Sequence, residues 1–279
     1  MSADTLGALV HAYVQTQCDV IIEAREAIAA RDETLVHPVR VAIRRLRATL
    51  RTFAEVYDAG EAAHFADELR WAGVLLGDVR DLQVLAERFA DEDRTSSPAT
   101  YRAIAEEIER DRAEAWHEVA DGLGGARGAA LFQAIEQWRD DPPFTLKAER
   151  PAERVKKPVA KADARVTRRL ARVPDAASAD AGERLHDARK AAKRHRYAVE
   201  LAQPVLGAKA ERTIEQREAL QDALGAHQDA VVALAFLQQV RLDTTNGASA
   251  EALRELVTRT RASAEDVAGV LRETERLRD

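Results

Sequence analysis

Residues 36–57, VHPVRVAIRRLRATLRTFAEVY, decide the fold. At about 100° per residue on a helix, His37, Arg40, Arg44, Arg47 and Arg51 fall within an arc of about 80°. Val39, Ile43, Leu46, Leu50, Phe53 and Tyr57 occupy a second arc centred about 120° away. The segment therefore combines an apolar face for a core with a cationic rail beside it. No carboxylate stands between Thr34 and Ala54 to neutralise that rail. Like charges at i,i+4 on a helix repel by a few tenths of a kcal/mol per pair. A stack of them on one face calls for an anion, and the planar arginine fork suits phosphate oxygens.

The pattern returns in LHDARKAAKRHRYAVELAQPVL, residues 185–206. A shift of 149 positions lays His37 on His186, Arg40 on Arg189, Arg44 on Lys193, Arg45 on Arg194 and Arg47 on Arg196. Lys190 adds to this second rail, which contains the carboxylate Asp187 and ends at Glu200. Downstream, LLGDVRDLQV (75–84) matches ALGAHQDAVV (223–232) at a shift of 148, with Gly77 over Gly225 and Asp81 over Asp229. Two matches at nearly one offset point to an internal duplication of a helical unit. A single basic stripe is ordinarily a solvated face paired with acidic neighbours. Two stripes matched position by position favour two helices that meet one anion, with the histidines facing it and binding strengthened at lower pH.

The rest of the 279 residues fits a helical chain. Only 5% are aromatic, and Ala, Leu, Glu and Arg dominate, which argues against an all-β fold. Punctuation predicts helices over 3–31 (Asp4 as N-cap), 34–58 (Thr34 as cap, a break at Gly60), 61–90 across Gly77, and then from a 91–98 loop to Asp121. A turn GLGGARG, a short helix over 128–139, a helix from about 159, a loop over 174–182, and helices at 183–203, 208–240 and 249–277, with a break at TTNG (244–247), complete the expectation. The organisation expected is one domain over 3–277, with a first half at 3–139, a basic linker at 140–158 and a second half at 159–277.

Cys18, the single cysteine, excludes an intramolecular disulfide framework and fits a reducing cytosol. The N-terminus does not read as a signal peptide, and no apolar run reaches the roughly 20 residues that span a bilayer. A cytoplasmic location without membrane contact is expected. The net charge of −6 argues against a globally basic nucleic-acid coat but not against local patches.

These motifs resemble the CHAD family, the conserved histidine α-helical domain. Its hallmark is a repeated His-x-x-Arg-x-x-x-Arg/Lys-Arg-x-Arg helix followed by Leu-Gly-x-x-Arg/Gln-Asp. His37, Arg40, Arg44, Arg45, Arg47, Gly77, Arg80 and Asp81 carry the likeness in the first half. His186, Arg189, Lys190, Lys193, Arg194, Arg196, Gly225, His227, Gln228 and Asp229 carry it in the second. The resemblance implies an all-α fold of two four-helix bundles related by a pseudo-two-fold axis, with a basic channel between them that binds inorganic polyphosphate. The rail residues and Arg51 are the expected ligands, with Arg80 and His227 as weaker candidates. Asp81 and Asp229 are expected to orient arginines, and Gly77 and Gly225 to allow close approach or a kink. His195 departs from the family pattern, standing where the first copy has Leu46, and both an inward and a ligand-facing orientation stay open. The basic run Lys156, Lys157, Lys161, Arg165, Arg168, Arg169 and Arg172 is either an extension of the channel mouth or a solvated face.

A non-catalytic, stand-alone binding module without cofactor or metal is therefore expected, with polyphosphate-granule association as a corollary. Two alternatives remain. A metal-dependent phosphohydrolase of the HD type would use the His186-Asp187 doublet, with Asp229 closing the ligand set. Against it, Pro38 replaces the aspartate in the first copy, and the crowded cations would repel a metal. A helical nucleic-acid-binding protein is disfavoured by the shortage of aromatic stacking platforms.

Overall fold

A computed structural model describes residues 4–91, 97–173, 180–240 and 249–272, apart from 268 and 271. The predicted loops at 91–98 and 174–182 lie mostly outside these residues, and the break at 244–247 and the chain beyond 272 lie wholly outside them. Among the described residues the regular elements are helices and no strand. These are α1 (Leu6–Glu23), α2 (Arg25–Ala29), α3 (Val36–Thr52), α4 (Ala59–Asp91), α5 (Pro98–Gly124) and α6 (Ala126–Asp140), followed by α7 (Lys156–Leu170), α8 (Ala181–Leu206), α9 (Ala208–Leu237) and α10 (Ala250–Glu265).

Local chemistry moves several predicted boundaries. Thr5, not Asp4, caps α1, its Oγ1 accepting from the Ala8 N–H at 3.2 Å. The single helix predicted over 3–31 bends at Ala24 into α1 and α2, which keeps Ile28 in the core at 6% exposure. Thr34 is not a cap: its N–H donates to Asp32 at 2.9 Å, and Asp32 starts a 3₁₀ turn over Glu33–Leu35. The break predicted at Gly60 falls at Asp58, whose Oδ1 accepts from the N–H groups of Gly60 and Glu61 at 2.9 and 3.0 Å. Helix α8 ends at Gly207, whose φ of +59° suits glycine.

The stretch after α6 is packed. Tyr57 bridges Phe144, and Thr5 bridges Pro151. Ala148 and Val155 are 1% and 0% exposed, and α7 begins at Lys156, three residues before the prediction. The Tyr57 ring stacks on Phe144 at 5.3 Å and tilts against Trp138 at 5.2 Å, so much of the small aromatic complement fastens this seam.

Among the described residues, three apolar clusters hold the helices. The largest combines the inner faces of α1, α3, α4 and α6 with Ala198, Val199, Leu201 and Ala202 of α8. A second joins α7, the first half of α8, and Leu220 and Leu224 of α9. The third joins the C-terminal end of α4 and the start of α5 to the end of α9 and to α10. Sequence-distant halves thus share apolar cores at two places, and the first of these brings α8 onto α3. Leu46 lies on the apolar arc of α3 at 1% exposure. Leu46→Ala is expected to cost ~2–5 kcal/mol in denaturant unfolding, because a cavity is left where α3 meets its neighbours.

Candidate anion-binding cleft

Helices α3 and α8 carry the two repeated motifs and pack against each other. Between them opens a cleft of about 320 Å³, lined by Arg44, Arg47, Ala48 and Arg51 from α3 and by Lys190, Lys193, Arg194 and Tyr197 from α8. Six of these eight side chains are cationic, and none is acidic. Arg44, Arg47, Arg51, Lys193 and Arg194 have no carboxylate within ion-pair distance among the described residues, and Lys190 only reaches Asp187 at 3.9 Å. The Nε atoms of Arg44 and Arg47 are buried without a hydrogen-bond partner. A buried donor left unpaired carries a desolvation cost of about 1–3 kcal/mol, larger for charged groups.

The sequence-equivalent pair Arg44 and Lys193 stands at the centre. Burial pushes the Lys193 ammonium down to about 7, and the charges of Arg189, Arg44 and Arg196 push the same way. Burial likewise lowers the guanidinium pKa values of Arg40, Arg47, Arg189 and Arg194.

The two glycines seat arginine side chains. A Cβ on Gly77 would lie 2.8 Å from Arg40 Nη1, and one on Gly225 would lie 3.1 Å from Arg189 Nη2. Each guanidinium approaches the neighbouring helix where a side chain is missing. Arg40 Nη1 donates to the Leu76 carbonyl at 3.0 Å, and its Nη2 lies 3.6 Å from Asp81. Asp229 provides the corresponding charge beside Arg189. Close approach, not a kink, is thus the use of these glycines.

Equivalent arginines do not all share a role. Arg45 donates to Glu200 at 2.9 Å and lies over the Tyr197 ring. Arg196 is held by Glu218 at 3.0 Å and by Glu200 at 3.4 Å. The Tyr13 hydroxyl also donates to Glu200 at 2.8 Å, so this carboxylate ties α1, α3 and α8 together. Arg45 and Arg196, both expected as ligands, do not line this cleft, because both are turned to glutamate, whereas Arg47 and Arg194 line it. The cause is visible in the alignment: Glu200 occupies the position that Arg51 occupies in the first copy. A rail that continues by one turn in α3 is closed by an acid in α8.

The histidines divide. His37, exposed, and His186, half-buried, stand beside their rails but do not line the cleft. His37 has Arg80, Arg44 and Arg40 for neighbours, and His186 pairs its Nδ1 with Gln228 Oε1 at 2.8 Å. Burial first, then these cations for His37 and Lys190 and Arg189 for His186, lower both imidazole pKa values, so the free protein favours the uncharged rings. Arg80 is engaged by Glu87 at 3.2 Å. His227 does not line the cleft: it takes the place equivalent to Val79 and is 6% exposed, its ring near Gly182. His195 points inward at 2% exposure, and its Nδ1 accepts from Arg217 Nε at 2.9 Å, which places the ring proton on Nε2. Arg217 is in turn paired with Asp163. The His186-Asp187 doublet is split, since Asp187 bonds Arg169 at 2.9 Å. No group of three or more His, Cys, Asp or Glu suited to a metal occurs among the described residues. No helix among them is long and apolar enough to cross a membrane.

Residues the sequence left undecided enter here. Tyr197 and Ala48, equivalent to one another, form the floor. Of the basic run after 155, Lys161 and Arg165 face an adjoining cavity, while Lys156 pairs with Glu153 and Arg169 with Asp187.

A Lys193 pKa depressed from its unfolded value destabilises the folded state fully below pH ~7, and the cost fades as pH rises toward the ordinary lysine range. Lys193→Met is therefore expected to raise the thermal midpoint by at least ~2 °C at pH 6, with a smaller gain at pH 9, in ligand-free melts.

Comparison with known proteins agrees with this architecture. The CHAD domain family matches residues 12–238. The uncharacterized proteins MT2285 and Rv2226 of Mycobacterium tuberculosis (strains CDC 1551 / Oshkosh and ATCC 25618 / H37Rv) are each 29% identical over 241 residues, covering 82% of this chain. The chain spans 45% of the length of these relatives. PptA from Streptomyces chartreusis superposes with a TM-score of 0.78 at 19% identity, over 98% of this chain and 99% of that one. The CHAD domain from the plant Ricinus communis superposes with a TM-score of 0.77 at 24% identity, over 99% and 93%. With the family matched across most of its length and the same all-α architecture, the chain belongs to the CHAD domain family.

Proposed function

We infer that the cleft between α3 and α8 binds inorganic polyphosphate without catalysing its breakdown. A single observation carries this: six cations converge on one cavity with no acid in its lining. Such a set is unfavourable alone and is relieved by a flexible chain of closely spaced negative charges. The acidic remainder of a chain with net charge −6 keeps polyanions off the rest of the surface.

The lining distinguishes among polyanions. Single-stranded nucleic acid is normally held on aromatic platforms, and the cleft contributes one ring, Tyr197, which already has Arg45 and Arg196 against its faces or edges. A duplex is too thick to seat between two helices in direct contact. The lining offers arginine forks and a lysine point charge, which suit phosphate oxygens. The lining holds no carboxylate or histidine, and a bound polyanion keeps Lys193 protonated, so no general base is offered to a bound phosphate, which favours retention over hydrolysis. A protein that holds the polymer this way would partition with polyphosphate-rich granules.

Titration with long-chain polyphosphate across a salt series is the test. Affinity should fall steeply with salt as counterions are released. Arg44→Glu combined with Arg194→Glu should lower it by at least ~100-fold with unchanged helicity, each reversal replacing an attraction by a repulsion. Duplex DNA at equal charge concentration should not displace the polymer, and the polymer recovered after prolonged incubation should keep its length. Displacement by DNA or loss of chain length would overturn the proposal. The bound anion restores the charge of Lys193, so binding takes up protons. Affinity should rise as pH falls from about 8 to 6, and Lys193→Arg should flatten that slope.

A further inference from the structure

Resting on the polyphosphate reading, we propose that the polymer leaves the cleft toward α7, where Lys161 and Arg165 form an additional subsite reached by long chains only. A second cavity of about 110 Å³ adjoins the cleft and shares two of its residues, Arg51 and Arg194. Its remaining walls include Pro158, Lys161 and Arg165 of α7, together with Thr52 at the end of α3. The two cavities thus meet at a shared pair of arginines, one from each rail.

Acids are absent from this branch because they are engaged elsewhere. Asp163, the acid inside α7, faces Arg217 and His195 on the other side of its helix. Asp187, the acid of the second rail, is held by Arg169 at 2.9 Å. Lys161 and Arg165 stand at i,i+4 on one face, a spacing that disfavours like charges unless an anion meets them. Arg194 experiences Arg165, Arg51 and Arg169 as its charged neighbours, all of one sign.

Other arginines of the two rail helices are already paired. Glu200 and Glu218 hold Arg196, and Glu200 also takes Arg45. A polyanion that runs past Arg44 and Lys193 toward α7 meets cations that pair with no carboxylate among the described residues. The favourable course therefore bends from Arg44 and Lys193, past Arg51 and Arg194, onto Lys161 and Arg165. A short anion is satisfied within the first cavity. Only a longer chain gains the extra contacts, which become intramolecular once the first segment is seated.

The test compares wild type with Lys161→Ala/Arg165→Ala by titration with a ladder of inorganic polyphosphates, from tripolyphosphate to long chains. The affinity ratio of wild type to variant should be near one for the shortest member and rise to roughly tenfold along the ladder, as two exposed charge contacts are lost. For long chains the slope of log affinity against log salt should fall by about 1.4, two contacts at ~0.7 each. The pair Lys209→Ala/Arg212→Ala, exposed on α9 and equal in charge, should leave the ratio near one throughout. A ratio that stays flat along the ladder, or an equal loss in the α9 control, overturns the subsite. Wild type that binds no member of the ladder overturns the function itself, a separate result.

Discussion

Mutual repulsion between two cationic helices held in contact is the constraint on which this structure depends. Arg44, Arg47 and Arg51 face Lys190, Lys193 and Arg194 across a cleft without acids. Burial, and after it the like charges of Arg189, Arg44 and Arg196, depress the Lys193 pKa. What opposes the repulsion is apolar burial on the reverse sides of the same helices: Val39, Ile43, Leu46 and Leu50 of α3, and Ala198, Val199, Leu201 and Ala202 of α8, all enter one core. Burial of this kind is non-directional and large in sum, so it can press like charges together that would separate in an open structure.

Glu200 decides the shape of the resulting site. By taking Tyr13, Arg45 and Arg196 at one junction, it removes two arginines from the channel and fastens α1, α3 and α8. The duplicated motif would by itself build a symmetric receptor. One position of opposite charge, Arg51 in the first copy and Glu200 in the second, makes it directional. The seating of Arg40 and Arg189 over Gly77 and Gly225 shows the duplication used symmetrically, since both copies lay a guanidinium where a Cβ would intrude.

Much of this was legible in the chain. The 3.6-residue periodicity over 36–57 separates apolar and cationic arcs, and α3 keeps that separation: Leu46 is buried and Arg44 lines the cleft. Helix ends were read less well, because caps depend on which of several neighbouring polar residues turns back. Thr5 does so instead of Asp4, and Asp58 starts α4 ahead of the glycine that suggested a break. The roles of His227 and His195 were not separable by pattern alone. One aligns with Val79, whose burial is complete, and the other with Leu46, so both sit at core positions, yet histidine itself is compatible with core and ligand sites.

The sequence by itself determined a helical chain, its doubled motif, and two faces per rail helix, because side-chain direction on a helix follows from residue spacing. Only the tertiary structure decided which cations remain free. Arg45 and Arg194 are equivalent in the alignment, but Glu200 reaches one of them and α7 borders the other. An ion pair formed 155 residues apart depends on how helices dock, and that docking is set by the summed packing of three apolar cores, which no local pattern encodes.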